Sequence, residues 1–414
     1  MKHATPKDWS TTTLGDIAEI VMGTSPPGED IAESEGGLPF IQGNAEFGVR
    51  HPKPALWCRS PLRTAVAGDL LVSVRAPVGE MNEADQTLCI GRGLAAVRVG
   101  NGAKAFVWHA LGREIRQLQR VAQGSTFTAV NREDIEEIVL PLPPPAEQAK
   151  IAAVLGAVDE AVERSRAVLA QTKTLRQALL HTLLTRGLPG RHTKFKTVRP
   201  HGRIPESWTA CRIRDLKPFV TSGSRGWAEF YADTGSIFLR IGNLTREHVN
   251  LDLAKIQRVQ PPDTTEGRRT RTQAGDVLIS VTADLGIIGL VPSEFGEAYV
   301  NQHIALVRFT DQRRNVNPAW VANYLAGVEG QTQFKRLNDR GTKAGLNLPN
   351  ILNLHVLLPA KAEQDEAMRI LAAEDARLAA AEVHLAQLER VKSALSAALL
   401  SGEIRVTKGG TNAT

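Results

Sequence analysis

The heptapeptide LPPPAEQ, at residues 142–148, marks a sharp change in the character of the sequence. Its prolines disfavour a helix before Pro145 and suit a first helical turn, because proline lacks the amide hydrogen that a helix interior uses. No further proline occurs before Arg186. A related heptapeptide, LPAKAEQ, stands at residues 358–364 and opens a second proline-free stretch that reaches Leu400. The two motifs predict long helices over residues 143–188 and 359–404.

Apolar residues recur along both stretches at the spacing of a coiled coil. Leu155, Val162 and Leu169 are seven residues apart in the first stretch, and Leu371, Leu378 and Leu385 are seven apart in the second. A narrow apolar stripe of this length predicts that each helix pairs with the other rather than with its own globular part. Polar Ser165, Thr172 and Glu374 interrupt the stripe and are expected to help fix its register. The residues predicted to pair the helices are Ile151, Leu155, Val158, Val162, Leu169, Leu179, Leu183, Leu371, Leu378, Leu385, Leu388 and Leu395.

The remainder of the chain also repeats itself. The opener PxxW at Pro6 and Trp9 recurs at Pro205 and Trp208, an offset of 199 residues. AGDLLVSV at 67–74 aligns with AGDVLISV at 274–281 at an offset of 207, AAVR at 95–98 with ALVR at 305–308 at 210, and the helix-start motifs at 216. The offset only increases along the chain, as expected for a duplicated unit whose second copy has short loop insertions.

Each copy begins with short runs of Val, Ile and Leu that are separated by Gly, Pro, Asn and Asp, a pattern typical of strands. The predicted fold class is α+β. Two α/β globular domains, which we name the first and second reader, alternate with two long antiparallel coiled-coil helices, related by a pseudo-two-fold internal repeat. The predicted divisions are a first reader at 1–142, a first helix at 143–188, a linker at 189–202, a second reader at 203–358, a second helix at 359–404 and a tail at 405–414.

Composition limits the classes of protein to which the chain can belong. Its 414 residues predict two to three domains. A net charge of +6 mildly favours a polyanionic partner. Cys58, Cys89 and Cys211 are far apart, which favours neither a disulfide framework nor a zinc site. The N-terminal residues contain no apolar signal region and no apolar run is long enough to span a membrane. A cytoplasmic protein is therefore expected.

The sequence lacks the motifs of covalent chemistry. It has no GxSxG, HExxH, EF-hand or P-loop pattern, no His-x-x-x-His pair among its ten histidines, and no Asn-Pro-Pro-aromatic motif for base methylation. Pro262-Asp263 followed by Glu266 and Arg268 lacks the acidic-x-Lys strand of a metal-dependent nuclease. We therefore expect a chain that is not an enzyme by itself and that binds neither a metal nor a cofactor.

The ordered, duplicated set of motifs resembles the specificity subunits of type I restriction-modification systems, over essentially the whole chain. The resemblance is carried by the two PxxW openers, by Gly43-Asn44 and Gly242-Asn243, by AGDLL at 67–71, and by the two helix-start motifs. The helix ends LLTRG at 183–187 and LLSGE at 399–403 also resemble those of the family. Gly91-Arg92-Gly93 in the first copy departs from Asn301-Gln302-His303 in the second, which leaves the role of this loop open.

The resemblance implies a set of partners. It implies double-stranded DNA with a two-part target and a non-specific spacer, two methyltransferase (modification) subunits, and restriction (translocase) subunits. S-adenosylmethionine, ATP and Mg²⁺ are then expected on those partner subunits. Two alternatives stay open at this stage: the specificity subunit of a system that only methylates, and a stand-alone DNA-binding or scaffold protein without enzymatic partners.

Candidate DNA contacts are loop residues that can donate or accept hydrogen bonds at base edges or phosphates. Arg75 and Arg92 stand out, because turn glycines flank them in apolar surroundings, and the clustered Arg268, Arg269 and Arg271 are better suited to phosphates. The two Gly-Asn pairs can equally be structural turns. The candidates are Asn44, Arg50, Arg75, Arg92, Ser125 and Thr126 in the first reader, and Arg225, Asn243, Arg268, Arg269, Arg271, Lys335, Arg340 and Lys343 in the second.

Overall fold

The computed structural model describes residues 6–100, 102–122, 130–339, 345–407 and 410–413. The chain divides into two compact units. The first contains residues 1–167 and 383–414, and the second contains residues 168–382. Each unit thus combines one reader with a segment from each of the two long helices. The mixed helix and sheet predicted from the sequence is confirmed.

The first reader contains a four-stranded sheet, a five-stranded sheet and a two-stranded ribbon. In the four-stranded sheet, Leu94–Val99 lies between Ala18–Met22 and Leu70–Ser73 and is antiparallel to both. In the five-stranded sheet, Leu38–Ile41 runs parallel to Leu88–Ile90. The strands are Ser10–Thr13, Ala18–Met22, Ile31–Ala32, Leu38–Ile41, Leu56–Cys58, Thr64–Ala65, Leu70–Ser73, Met81–Glu83, Leu88–Ile90, Leu94–Val99 and Val139–Leu142, with α-helices Leu14–Ile17, Lys104–Ala122 and Arg132–Glu136.

The second reader has a similar arrangement, with two four-stranded sheets and a ribbon. Ile304–Arg308 lies between Phe219–Ser222 and Val277–Ser280, and Ser236–Leu239 runs parallel to Ala298–Val300. The strands are Thr209–Arg212, Phe219–Ser222, Tyr231–Ala232, Ser236–Leu239, Gln257–Val259, Val277–Ser280, Ile288–Leu290, Ala298–Val300, Ile304–Arg308 and His355–Leu358, with α-helices Thr265–Thr270, Pro318–Ala326, Val328–Asp339 and Leu348–Leu352. Hairpins follow the long helices at Phe195–Val198 with Gly202–Pro205, and at Ile404–Thr407 with Gly410–Ala413.

A buried ion pair explains why the AGD and AxVR motifs occur together in both copies. Asp69 is buried, and both of its carboxylate oxygens accept hydrogen bonds from Arg98, at 3.2 and 3.0 Å. In the second copy Arg308 donates to buried Asp276 at 2.7 and 2.6 Å. A buried carboxylate needs such a partner, because desolvation of an isolated charge is costly. The paired motifs therefore join neighbouring strands of the same sheet.

The two long helices begin and end close to the predicted limits, at Pro145–Arg186 and Lys361–Ser401. The prolines before or at their starts, 143–145 and Pro359, and the positive-φ glycines that follow them, Gly187 and Gly402, account for these limits. The helices run antiparallel within each unit. Ion pairs join Asp159 to Lys392 in the first unit and Arg176 to Asp375 in the second.

The predicted pairing residues divide into two groups by burial. Near the readers they are buried: Ile151 and Leu155 pack with Leu399 in the core of the first unit. Leu183 and Leu371 pack in the core of the second unit. The ends of the helices are therefore shared between the partner helix and the reader. Val162 is also buried, while Val158, Leu169, Leu179, Leu378, Leu385, Leu388 and Leu395 are half-buried.

The Ala-Glu-Gln motif attaches each helix start to its reader. Buried Glu147 accepts a hydrogen bond from the Trp9 indole at 3.0 Å and from Arg405 at 2.7 Å. In the second unit Glu363 accepts from the Trp208 indole at 3.4 Å and contacts His192 at 2.6 Å. In each unit, a single carboxylate thus connects the PxxW opener, the start of one long helix and the segment that follows the other long helix.

Candidate nucleic-acid interface

In the first reader, four strands end at the same edge. The strands Ala18–Met22, Leu38–Ile41, Leu70–Ser73 and Leu88–Ile90 lead into turns that are hydrogen-bonded to one another: Thr24 donates to Ile90 at 3.1 Å, and Gly91 donates to Ile41 at 2.8 Å. These turns bring together Ser25, Gln42, Arg75 and Arg92, which we call the first strand-end cluster. Its Ser25 and Gln42 side chains are hydrogen-bonded at 3.0 Å.

The second reader forms the equivalent edge. Ser224 donates to Val300 and Asn301 donates to Leu239, each at 3.0 Å. This second strand-end cluster consists of Arg225, Arg240, Thr282, Asn301 and His303. The Thr282 hydroxyl lies 2.6 Å from Nδ1 of His303. An open pocket of about 370 Å³ here is lined by Arg240, Lys255 and His303 and by no carboxylate. Such a concave, basic and polar surface suits an anionic ligand with hydrogen-bonding edges.

Glycines make the turns of both clusters possible. A Cβ on Gly23 would lie 2.1 Å from the carbonyl oxygen of Gly91, and one on Gly223 would lie 1.9 Å from that of Asn301. A Cβ on Gly91 would lie 2.6 Å from the Gln42 side chain. The tripeptides Gly91-Arg92-Gly93 and Asn301-Gln302-His303 therefore form structurally equivalent turns in the two readers. Their side chains differ, but the path of the main chain is kept.

The structure places the first reader's candidates in different surroundings. Arg75 and Arg92 are exposed in the first strand-end cluster. Arg50 instead donates to Glu83 at 2.8 Å and stacks over the Trp108 ring at 4.4 Å. Asn44 is half-buried at the start of a short 3-10 helix, Asn44–Glu46. Ser125 and Thr126 lie outside the described residues; the next described residue, Val130, donates to the Val74 carbonyl beside Arg75 at 2.9 Å.

The second reader's candidates are similarly divided. Arg225 is exposed in the second strand-end cluster. Asn243 is buried, and its amide donates to the backbone of Asp252 and Lys255, which favours the structural-turn interpretation of this residue. Lys335 is exposed on the helix Val328–Asp339. Arg340 and Lys343 lie outside the described residues.

The arginines at 268–271 have intramolecular partners. Arg268 contacts Asp263 at 2.6 Å and Arg271 contacts Glu297 at 3.4 Å. Arg269 donates to the Thr221 hydroxyl, and this bond ties the helix Thr265–Thr270 to the strand Phe219–Ser222. Arg268 and Arg271 keep most of their side chains exposed, so they stay candidates for phosphate contacts.

Sequence reasoning missed several residues of both clusters. Ser25, Gln42 and Arg240 did not stand out, because each follows a strand at a position that only the tertiary fold brings to the common edge. Their signal in the sequence is a glycine one or two residues away: Gly23 for Ser25, Gly43 for Gln42 and Gly242 for Arg240. Within the described part of the chain, no group of three or more His, Cys, Asp or Glu side chains is arranged to hold a metal ion. No helix among the described residues is long and apolar enough to cross a membrane.

Basic strand-end clusters thus occur on the mixed sheets of both readers. Residues 6–171 match the type I restriction modification DNA specificity domain. The chain is 39% identical over 185 residues to the type I restriction enzyme MjaX specificity subunit of Methanocaldococcus jannaschii. The aligned segment covers 44% of this chain and 43% of that subunit. The chain is 24% identical over 277 residues to the EcoBI specificity subunit of Escherichia coli, covering 64% of this chain and 57% of that one. The matched segments thus span less than two thirds of either relative.

Solved structures extend the similarity in fold to the whole chain. The S subunit of a type I restriction-modification system from M. genitalium superposes with a TM-score of 0.59 at 16% identity, covering 96% of this chain and 98% of that one. A chain from a structural study of complex assembly in the type I system gives 0.58 at 17% identity, covering 97% and 100%. The resemblance to type I specificity subunits that the sequence motifs indicated is borne out by the domain match and by these relatives, and the solved structures show the same fold.

Proposed function

We propose that the chain is the non-catalytic DNA-reading subunit of a type I restriction-modification complex. Each reader recognises one half of a two-part DNA target through its strand-end cluster. The observation that carries this proposal is the repetition of the same edge in both readers, with exposed Arg92 in the first and exposed Arg225 in the second. Arginine can form two hydrogen bonds to guanine in the major groove, where each base pair presents a distinct pattern.

The proposal also assigns the long helices a spacing role. The helix Pro145–Arg186 has 42 residues, which corresponds to about 60 Å at ~1.5 Å per residue. A helix of this length suits a spacer between two half-sites, in the way that dimer geometry sets half-site spacing in other DNA-binding proteins.

Equivalent apolar positions on the helices support a scaffolding role toward two copies of one partner. Leu175 and Val391 are 60% and 48% exposed, and the helix repeat of 216 residues relates them. Exposed apolar side chains at related positions suit two like protein contacts. We assign these positions to the two modification subunits. Leu175→Glu should lower the number of bound modification subunits from two to one, measured by native mass, whereas Arg164→Glu should leave it at two.

The proposed function is tested by reconstitution. The purified chain alone should transfer no methyl groups. With its modification subunit and S-adenosylmethionine, labelled methyl groups should appear in DNA at one two-part sequence. Methyl transfer by the chain alone would contradict the non-catalytic assignment, and sequence-specific binding without any effect on the modification subunit would favour a stand-alone DNA-binding protein.

A further inference from the structure

Two ion pairs near the middle of the long helices have an unusual distribution of charge. In the first unit Arg166 contacts Glu389 at 2.6 Å, and in the second unit Lys173 contacts Glu382 at 3.0 Å. All four side chains are about half exposed, between 45% and 52%. Both basic residues belong to the first helix and both acidic residues belong to the second.

The internal repeat shows that these pairs are counterparts with their charges exchanged. The offset of 216 residues maps Arg166 onto Glu382 and Lys173 onto Glu389. The other two ion pairs between the helices behave differently. The same offset maps Asp159 onto Asp375 and Arg176 onto Lys392, so there the sign of each position is kept. Among these four ion pairs, the difference in charge between the helices is therefore confined to the two central ones.

The exchanged charges make the native pairing of the two helices differ from a pairing between two identical helices. If the first helix paired with that of a second copy in the equivalent register, Arg166 would face Lys173 twice. Two copies of the second helix would place Glu382 against Glu389. The pairs that involve Asp159 and Arg176 would stay attractive in either case. The apolar stripes have the same spacing in both helices, so they discriminate weakly between the native pairing and a pairing of identical helices.

We propose that Arg166, Lys173, Glu382 and Glu389 direct each long helix to the opposite helix of the chain and away from the identical helix of a second copy. A single exposed ion pair contributes little. Here, however, self-pairing replaces two attractions with two repulsions, and coiled coils commonly use such flanking charges to choose partners. The interface thus fits a helix of complementary charge and disfavours one of like charge.

Full-length variants test the proposal without reference to DNA. An acidic variant, Arg166→Glu with Lys173→Glu, makes the central positions of both helices acidic. A basic variant, Glu382→Lys with Glu389→Arg, makes them basic. Each variant alone should melt below the wild type, because its own helices repel. Co-expressed with different tags, they should form a cross-paired heterodimer, in about tenfold excess over either homodimer at low salt. Native mass spectrometry and paired-tag purification measure this excess.

Two controls make the result decisive. The variant with all four substitutions restores opposite charges and should be monomeric, with the melting temperature of the wild type. Arg164→Glu with Arg377→Glu changes the net charge as the acidic variant does, but the ion pairs of these residues are with Glu160 and Glu374 of their own helices. It should form no heterodimer with the basic variant. A fourfold variant as unstable as the double variants, or no excess of heterodimer over this control, would overturn the proposal.

Discussion

Arg92 lies exposed at the tip of the turn between the strands Leu88–Ile90 and Leu94–Val99. Its backbone amide lies 3.4 Å from the Ser25 hydroxyl, so the main chain is positioned while the guanidinium faces outward. We expect Arg92→Ala to cost about 1–3 kcal/mol of DNA binding at one base pair of one half-site. Binding assays over single-base variants of the target measure this, with Arg164→Ala as the control.

If Arg92→Ala lost the same binding free energy on every DNA sequence, the assignment of Arg92 to a base would be contradicted. Such a result would indicate a phosphate contact instead. In that case the slope of log affinity against log salt should fall by about 0.9. The two outcomes are therefore separable in one set of titrations.

Glu147 connects the first reader to the long helices and has a pKa below its ordinary value of 4.5. Burial raises this pKa, but hydrogen bonds from Arg405 and Trp9 outweigh that effect. Because the folded pKa is lowered, the carboxylate stabilises the fold above pH 4.5, and this contribution is lost as the pH falls through the folded pKa.

Glu147→Gln should therefore lower the free energy of unfolding by about 1–3 kcal/mol at neutral pH. The difference from the wild type should shrink as the pH falls below 4.5. Chemical unfolding at pH 7 and pH 3.5 measures both values, and the exposed Glu160→Gln is the matched control. A difference that is constant with pH would show that the charge of Glu147 does not contribute.

At the residue level the sequence predicted less of the site than of the fold. Arg75 and Arg92 were found because glycines flank them, and they do lie at the strand-end edge. Asn243 could not be told apart from a surface asparagine, because its backbone acceptors at Asp252 and Lys255 come from a loop of no fixed pattern. Whether any of these residues contacts DNA stays a prediction.

Among the elements, the long helices were the most predictable. Proline at the start, glycine at the end and heptad spacing are local signals, and the observed limits differ from the predicted ones by a few residues. Arg176 was missed, because a buried arginine on the seam row breaks the apolar pattern. Its partner Asp375 belongs to the other helix, so no local pattern in the sequence predicts this ion pair.

Helix length should determine the spacing of the two half-sites. Four residues, close to one helical turn, inserted into the middle of the helix Pro145–Arg186 should lengthen the non-specific spacer, because each residue adds ~1.5 Å along the axis. Mapping of methylated sites in cells that carry the insertion gives the spacer directly. A four-residue insertion in the loop that precedes Lys104 is the control, and an unchanged spacer with the helix insertion would show that the helices do not set it.

For the whole molecule, the steadily increasing offset between motifs predicted a duplicated unit. The two readers share the strand order of one four-stranded sheet and the parallel pairing of Leu38–Ile41 with Leu88–Ile90 and of Ser236–Leu239 with Ala298–Val300. The other sheet of the first reader has a fifth strand, Thr64–Ala65. The sequence could not predict how the compact units divide the chain. Residues 383–414 belong with the first reader through contacts such as that of Arg405 with Glu147, which are more than 200 residues apart in sequence.

The proposed function requires each reader to recognise one half of the DNA target independently of the other reader. This independence is tested by replacing residues 10–140 with the first reader of another family member and mapping methylated sites across the genome by sequencing. We expect one half-site to change, while the other half-site and the spacer between them stay the same. A simultaneous change of both half-sites, or methylation at a single uninterrupted sequence, would contradict it.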